Sequence, residues 1–420
     1  MANAPATAIH GAYPRHNGLV TSASLSQPTT GHSRNPRADL LGARRVVVKI
    51  GSSSLTRADG RLNVPALRKL VDVLAEVAGQ GKQVVLVTSG SISAGFMPLG
   101  LDRRPTDVAT AQAAAAVGQS ALMSTYTDAF GAYDIPVGQI LITAADTVRR
   151  SRYHHAVQAF ERLLELGAVP IVNENDALAT SELRFGDNDR LAALVAQLIR
   201  ADALVLLTDV DGLYDAPPSQ VGAQRIPLVE HMADVADVEV TGRGSSFGTG
   251  GMITKLQSAE MATQTGIPVL LTQAANVGRA FAGDDVGTWF VASANRTSRR
   301  KVWLEHAAAM TGRLVVDEGA ARALRDRGAS LLAAGIRRIE GDFVTGDPVE
   351  IITERGESIA HGISAYDAGE LPQMLGRSSD DLRDEFGESR VRAIVHRDDM
   401  VLVRATVTDV HSVGGMQVAD

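Results

Sequence analysis

The residues with chemical capacity fall into four short clusters. Val46-Val47-Val48-Lys49-Ile50-Gly51-Ser52-Ser53-Ser54 passes from a β-branched run straight into small residues. Val85-Leu86-Val87-Thr88-Ser89-Gly90-Ser91 repeats that pattern. Small residues after a strand leave backbone N–H groups open to an anion. A tight strand-to-helix turn would use the same residues. The third cluster, Gly248-Thr249-Gly250-Gly251-Met252-Ile253-Thr254-Lys255, places three glycines in four positions ahead of a helical pattern over Lys255–Thr265. A phosphate can dock against such a helix N-terminus; a surface loop is the plainer reading. The fourth is polar. Asn173-Glu174-Asn175-Asp176 follows an apolar run, and Phe185-Gly186-Asp187-Asn188-Asp189 precedes a helical pattern from Arg190. Helix capping accounts for one Asp or Asn, not for four carboxylates and three amides. Such a group suits a small zwitterion, an Asp pairing with the ammonium and amides holding the carboxylate.

Familiar nucleotide and metal motifs fail on spacing. No Gly-Lys-Ser/Thr completes a Walker loop. Phe247 stands where a dinucleotide fingerprint needs its third glycine. His396-Arg397-Asp398 lacks the following Asn of a protein-kinase catalytic loop, and Asp209-Val210-Asp211-Gly212 is too short for a calcium loop.

The elements that carry these clusters are legible from residue 44 onward. The patterns predict strands over Val46–Ile50, Val84–Thr88, Pro136–Ile142, Val169–Val172, Leu204–Thr208 and Pro268–Thr272. Several are apolar throughout, as strands covered on both faces are. Leu67, Leu70, Val71, Leu74 and Val77 fall at helical spacing, as do Leu191, Leu194, Val195, Leu198 and Ile199. Strand–helix alternation over about 250 residues predicts an α/β/α sandwich with a mainly parallel central sheet. Its ligands belong at the carboxyl ends of the strands. Beyond residue 295 the texture changes. Arg296–Lys301 is basic, then come strand-like pieces at Gly312–Val316, Ser330–Leu332, Pro348–Ile352, Glu357–Ile363 and Val391–Val403, with a helix over Glu318–Arg327. That predicts a small, mostly β barrel-like domain.

Composition bounds the rest. The chain has 420 residues, 45% hydrophobic and 21% charged, enough for two or three packed domains. There is no cysteine, which removes disulfides, thiolate metal sites and cysteine nucleophiles together. The net charge of −7 does not indicate a nucleic-acid partner. Residues 299–404 also carry three more acids than bases. No apolar run approaches the length of a membrane span. Residues 1–40 lack apolar periodicity and are expected to be a disordered N-terminal extension; an organellar transit peptide is a second reading.

In this order, Val48–Ser52, Thr88–Gly90, Ile171–Asp176, Phe185–Asp189, Leu207–Asp209 with Gly212–Tyr214, and Gly248–Lys255 resemble the glutamate 5-kinases. These are amino-acid-kinase-family enzymes with a C-terminal PUA domain. The resemblance covers about residues 44–404. It implies a kinase domain over 41–298, a linker over 299–311, a PUA-like domain over 312–404 and a tail over 405–420. It also implies ATP-dependent phosphorylation of the L-glutamate side-chain carboxylate in a cytoplasmic enzyme. Residue by residue, it implies that Lys49 and Lys255 lie along the transferred phosphoryl group and that Asp189 orients both. Ser89, Asp176 and Asn188 would contact the amino acid. Thr208 and Asp209 would contact the nucleotide, with Thr249, Gly250, Gly251, Met252, Ile253, Thr254 and Lys255 over its phosphates. Mg²⁺ would enter on ATP, with no protein ligand assigned. The resemblance further implies proline as an inhibitor and a homo-oligomer, dimer or tetramer. It leaves room for transient contact with glutamyl phosphate reductase, and implies no membrane partner. The competing readings are a sibling kinase acting on another acid, an RNA-binding protein, and an ATP sensor without catalysis. Both lysines are present, which argues against the last.

Overall fold

The computed structural model describes residues 37–57, 59–101, 105–143, 150–178, 188–235, 238, 251–294, 299–306, 310–386 and 392–403. In the first domain the strands are β1 (Arg45–Ile50), β2 (Gln83–Val87), β3 (Val137–Ile142), β4 (Val169–Glu174), β5 (Ala203–Thr208), β6 (Leu213–Tyr214), β7 (Arg225–Ile226), β8 (Leu228–Val229), β9 (Val269–Gln273) and β10 (Thr288–Phe290). The helices are α1 (Ala38–Gly42), α2 (Ser52–Leu55), α3 (Val64–Gly79), α4 (Ser91–Ala94), α5 (Val108–Gly131), α6 (Arg150–Glu165), α7 (Asn188–Leu198), α8 (Met252–Gln264), α9 (Val277–Phe281) and α10 (Arg299–His306). The main sheet runs β3-β4-β2-β1-β5-β9-β10-β8. The six strands expected from the sequence are mutually parallel. The two short strands the patterns did not show close one edge, β10 antiparallel to β9 and β8 parallel to β10.

Alternation along the central strands fills two cores, one on each face. Val46, Val48 and Ile50 of β1 join Leu67, Leu74, Leu122 and Phe130 from α3 and α5. Val47 faces the other way, among Leu191, Val195, Met261 and Ala262 from α7 and α8. By the same alternation Lys49 lies on the face of Val47, toward the helices that begin near Asp189 and Lys255. Capping fixes where the long helices start. Asn63 accepts a bond from Ala66 N at the head of α3, and Asp107 accepts from Thr110 N at the head of α5.

The second domain is a five-stranded sheet with its own core. Its strands are β11 (Gly312–Val316), β12 (Ile336–Gly341), β13 (Pro348–Thr353), β14 (Ser358–Ile363) and β15 (Met400–Leu402), in the order β12-β11-β13-β14-β15. α11 occupies Glu318–Arg327, as expected, capped by Asp317 and stopped at Gly328 in the left-handed region. The sequence patterns differ from the structure at three places here. Ser330–Leu332 forms no strand, only a bridge from Leu331 to Val395. Most of Val391–Val403 is not strand; β15 begins only at Met400, after a 3-10 turn at Arg397–Asp399. β12 went unseen because it is an edge strand, where charged side chains such as Arg337, Arg338 and Glu340 break the apolar alternation.

Two end-of-domain expectations also change. The stretch read as linker contains α10. Its polar composition hides Val302 and Leu304, both fully buried. Val302 belongs to the first-domain core, and the Leu304 carbonyl lies 3.0 Å from His361 Nδ1 on β14. The expected extension to residue 40 is packed from Arg37 on. Leu40 is 2% exposed, and the Arg37 guanidinium donates to the carbonyls of Asp284 and Val286 at 3.0 and 2.6 Å while pairing with Asp285. Residues 1–36 and the tail over 405–420 lie outside the described residues. Among the described residues no helix is long and apolar enough to cross a membrane.

Candidate active site

Every described residue singled out for chemistry lies at the carboxyl edge of the parallel strands or on the helices that begin there. Asp189 sits in the first turn of α7, wholly buried. Lys49 Nζ is 2.5 Å from its Oδ1 and Lys255 Nζ is 3.0 Å from its Oδ2. Lys49 is 3% exposed and Lys255 8%. That excludes Lys255 as a solvated lysine at a helix start. A buried cation in the first turn of α8 also opposes the helix dipole, so the Asp189 carboxylate is what makes its position tenable. Burial by itself raises the Asp189 carboxyl; the Lys49 and Lys255 charges outweigh it and hold it at about 2. The trio therefore carries one net positive charge in a closed setting, an arrangement that suits a transferring phosphoryl group.

Beside it lies a polar group built on β2 and β4. Asn188, first residue of α7, sets its Nδ2 at 2.6, 2.8 and 2.8 Å from Thr88 O, Ser89 Oγ and Asn173 Oδ1, so its two hydrogens are shared among three acceptors. Ser89 thus accepts from Asn188, which leaves its own hydroxyl proton to be donated. Asp176 accepts from Ser91 Oγ at 3.1 Å. Gly90 turns the chain between Ser89 and Ser91 with φ 99°, a conformation that favours glycine. α4 then packs directly on α5. A Cβ at Gly118 would overlap the Ser91 carbonyl and the Gly95 nitrogen, and one at Gly95 would overlap the Ala114 carbonyl. Under this layer, the buried Tyr126 hydroxyl lies 2.8 Å from Thr88 Oγ1.

On the other side of Lys49, Thr208 ends β5 and donates to Asp209 Oδ1 at 2.9 Å. Gln273, at the end of β9, donates to the Asp209 carbonyl at 3.1 Å. Thr288 of β10 holds the turn that follows: its Oγ1 accepts from Leu213 N and donates to Ile226 O at 2.8 and 2.6 Å. Gly251 is the N-cap of α8, and Thr254 donates back to its carbonyl at 2.8 Å. Met252 and Ile253 fall in the first turn of α8. Thr249 and Gly250 lie outside the described residues, as do Phe185, Gly186 and Asp187.

The structure thus brings together Lys49, Asp189 and Lys255, and separately Ser89 with Asn188. Asp176 reaches the same loop through Ser91. Sequence reasoning gave no individual role to Asn173 or Ser91, although both lie in its clusters, and did not single out Gln119 or Tyr126; for Gln119, Asn173, Ser91 and Tyr126 in turn the structural reason is distance along the chain. Their partners lie 54, 15, 85 and 38 residues away, respectively, separations at which neither periodicity nor local motif carries a signal.

Residues 44–273 match the model of the amino acid kinase family, and residues 312–386 match the PUA domain. The chain belongs to the amino acid kinase family. Within it, the chain groups with proteins named glutamate 5-kinase. It is 54% identical to the glutamate 5-kinase of Bifidobacterium animalis subsp. lactis, over 87% of this chain and 98% of that protein. It is 52% identical to the glutamate 5-kinase of Streptomyces coelicolor, over 86% of this chain and 97% of that protein. A solved isopentenyl phosphate kinase of 20% identity covers 59% of this chain and all of its own, with a TM-score of 0.42.

Proposed function

We propose that this chain transfers the γ-phosphoryl group of ATP to the side-chain carboxylate of L-glutamate, giving L-glutamyl 5-phosphate on the route to proline. One observation supports the reading most directly: the order of the strands along the carboxyl edge of the sheet. Along its carboxyl edge run β4, β2, β1, β5 and β9. Asp176 and Asn173 follow or end β4, Ser89 follows β2, Lys49 lies on β1, and Thr208 ends β5. With neighbouring strands about 4.8 Å apart, an amino acid over β4 and β2 and a nucleotide over β5 and β9 meet above Lys49. The buried trio stands at that midpoint.

The chemistry asks little more. The attacking glutamate oxygen is already ionised at neutral pH, since its solution pKa is near 4.3. It forms the new O–P bond while the bond to the bridging oxygen of ADP breaks, and no proton need move. Catalysis then rests on alignment and charge neutralisation. Lys49 and Lys255 meet the charge on the phosphoryl oxygens, and Asp189 holds both ammonium groups in place. Ser89 donates to the substrate carboxylate, while Asp176 and the Asn188 Oδ1 accept from its ammonium. Thr208 and Asp209 face the nucleotide, and Thr249–Lys255 cover its phosphates. Mg²⁺ would arrive on the phosphates of ATP, as it commonly does in phosphoryl transfer. When bound, it neutralises phosphate charge. Inhibition by proline, a dimeric or tetrameric assembly and contact with glutamyl phosphate reductase belong to the same proposal, supported by the likeness to glutamate 5-kinases alone.

ADP release by the purified protein with MgATP and a panel of glutamate, aspartate and N-acetylglutamate, with and without proline, tests it. Glutamate-dependent turnover is expected. Activity with another acid and none with glutamate would refute it. Asp176→Ala locates the amino-acid end. Removing one partner of a charged pair in a closed site costs about 2–5 kcal/mol. KM for glutamate should climb steeply while KM for ATP stays put. If the ATP value moves most, Asp176 serves the other ligand.

A further inference from the structure

Three side-chain amides, Asn188, Asn173 and Gln119, form a line of hydrogen bonds beneath the amino-acid end of the site, and its polarity can be read from its anchors. The Thr88 carbonyl can only accept, so the Asn188 atom 2.6 Å from it is nitrogen. That nitrogen donates to Asn173 Oδ1 at 2.8 Å. The same Asn173 oxygen accepts from the backbone N–H of Glu174 at 2.9 Å. Turning the Asn173 amide over would set N–H against N–H twice. Asn173 Nδ2 must therefore face α5, where it donates to Gln119 Oε1 at 2.9 Å. Gln119 Nε2 is then left buried, with no partner among the described residues.

A glutamine placed there for packing alone would be a poor choice. A methionine fills similar space without a buried, unpaired donor. Its oxygen is the part with a task. We propose that Gln119 is a positioning residue for the amino-acid site: by accepting from Asn173 it locks the relay that turns Asn188 Oδ1 toward the ligand. This inference rests on the functional reading above. Asn188 Nδ2 is engaged by Thr88, Ser89 and Asn173, so its oxygen is the atom offered to an ammonium. Ser89, accepting from Asn188, keeps its proton for a carboxylate. Without the Gln119 oxygen, Asn173 Nδ2 is a buried donor lacking its acceptor. Asn173 then turns to recover one, and Asn188 loses the acceptor that steadies it.

The test compares Gln119→Met, which removes the acceptor at similar length, with Gln119→Glu, which restores an oxygen facing Asn173. Gln119→Met should raise KM for glutamate about tenfold, with kcat and KM for ATP within twofold of the parent. Gln119→Glu should bring KM for glutamate back to within threefold. A residue with a merely structural role would lower Tm, move both KM values together, and leave the Glu variant no better than Met; that pattern overturns the proposal. So does a Met variant with parental KM for glutamate. Should Gln119→Met fail to fold, Gln119→Ala removes the same oxygen without bulk and is read in the same way. A parent protein without glutamate-dependent turnover would sink the functional reading and this inference together. An active parent with an indifferent Gln119→Met sinks this inference alone.

Discussion

Asp189 holds its charge in a place where burial opposes it, because two ammonium groups close on it from β1 and α8. Its folded value of about 2 lies below the unfolded value near 3.9. The group therefore adds stability that is fully present above the unfolded value and lost as pH falls through the folded one. Lys255→Met removes one lowering partner and leaves the burial, so the Asp189 carboxyl must rise. The acid-unfolding midpoint followed by circular dichroism should then move to higher pH; an unmoved or lower midpoint would show that Lys49 alone sets the charge. In the reaction, Lys255→Ala should lower kcat by about 10²–10³, or 3–4 kcal/mol, the usual loss for one preorganised donor. Lys49→Ala and Asp189→Asn should be comparably severe. The double and triple losses should not add, because the three act as one unit. A Lys255→Ala enzyme within threefold of the parent kcat would remove the assigned role. At this scale the sequence showed each residue of the trio inside a local motif. It could not show the residues beneath them: Gln119 sits in an Ala-rich helix with nothing beside it to mark its bond to Asn173.

The strands were legible because burial on both faces writes itself as unbroken apolar runs; β5, Ala203–Thr208, is buried at every position. What escaped were elements whose reason for existing lies elsewhere in the chain. β10 is three residues long and is held between β9 and β8. α10 forms because both domains cover it. Helix packing near the site was equally silent in the sequence, and Gly118 tests it. Glycine inside a helix is worse than alanine by about 1 kcal/mol, so Gly118→Ala should stabilise α5 on propensity alone. The added Cβ would meet backbone of Ser91 and Gly95, which cannot swing aside as a side-chain tip can. Overpacking of that kind typically costs 1–3 kcal/mol, so the clash outweighs propensity. Gly118→Ala should lower stability and, by displacing α4, raise KM for glutamate. Gly79→Ala at the end of α3 meets nothing within 4 Å and should be neutral or slightly stabilising. Denaturant midpoints of the two variants decide the matter; equal midpoints would mean that α4 yields without resistance.

The largest scale was legible as a change of texture, an α/β part followed by a mostly β part, because each has its own core and its own periodicity. The junctions were not, since composition there reports solubility and says nothing of docking. The amino-terminal junction shows this best. Low apolar content argues that residues up to 38 could be removed without effect, yet Arg37 lies within that span. Its guanidinium joins the residue before α1 to the loop before β10, through the carbonyls of Asp284 and Val286 and the carboxylate of Asp285. Asp285 is 70% exposed, so its ion pair contributes little. The two carbonyls are the stronger part: hydrogen bonds involving a charged group contribute about 1.5–3 kcal/mol. A chain beginning at Pro36 keeps Arg37 and should melt with the full-length protein. One beginning at Asp39 should melt lower, by roughly 5 °C for a domain of this size. Arg37→Ala in the full-length chain should reproduce most of that drop, which separates the guanidinium from any effect of shortening. Should the Asp39 chain melt with the Pro36 chain, the guanidinium is an idle contact and the first domain is held without it.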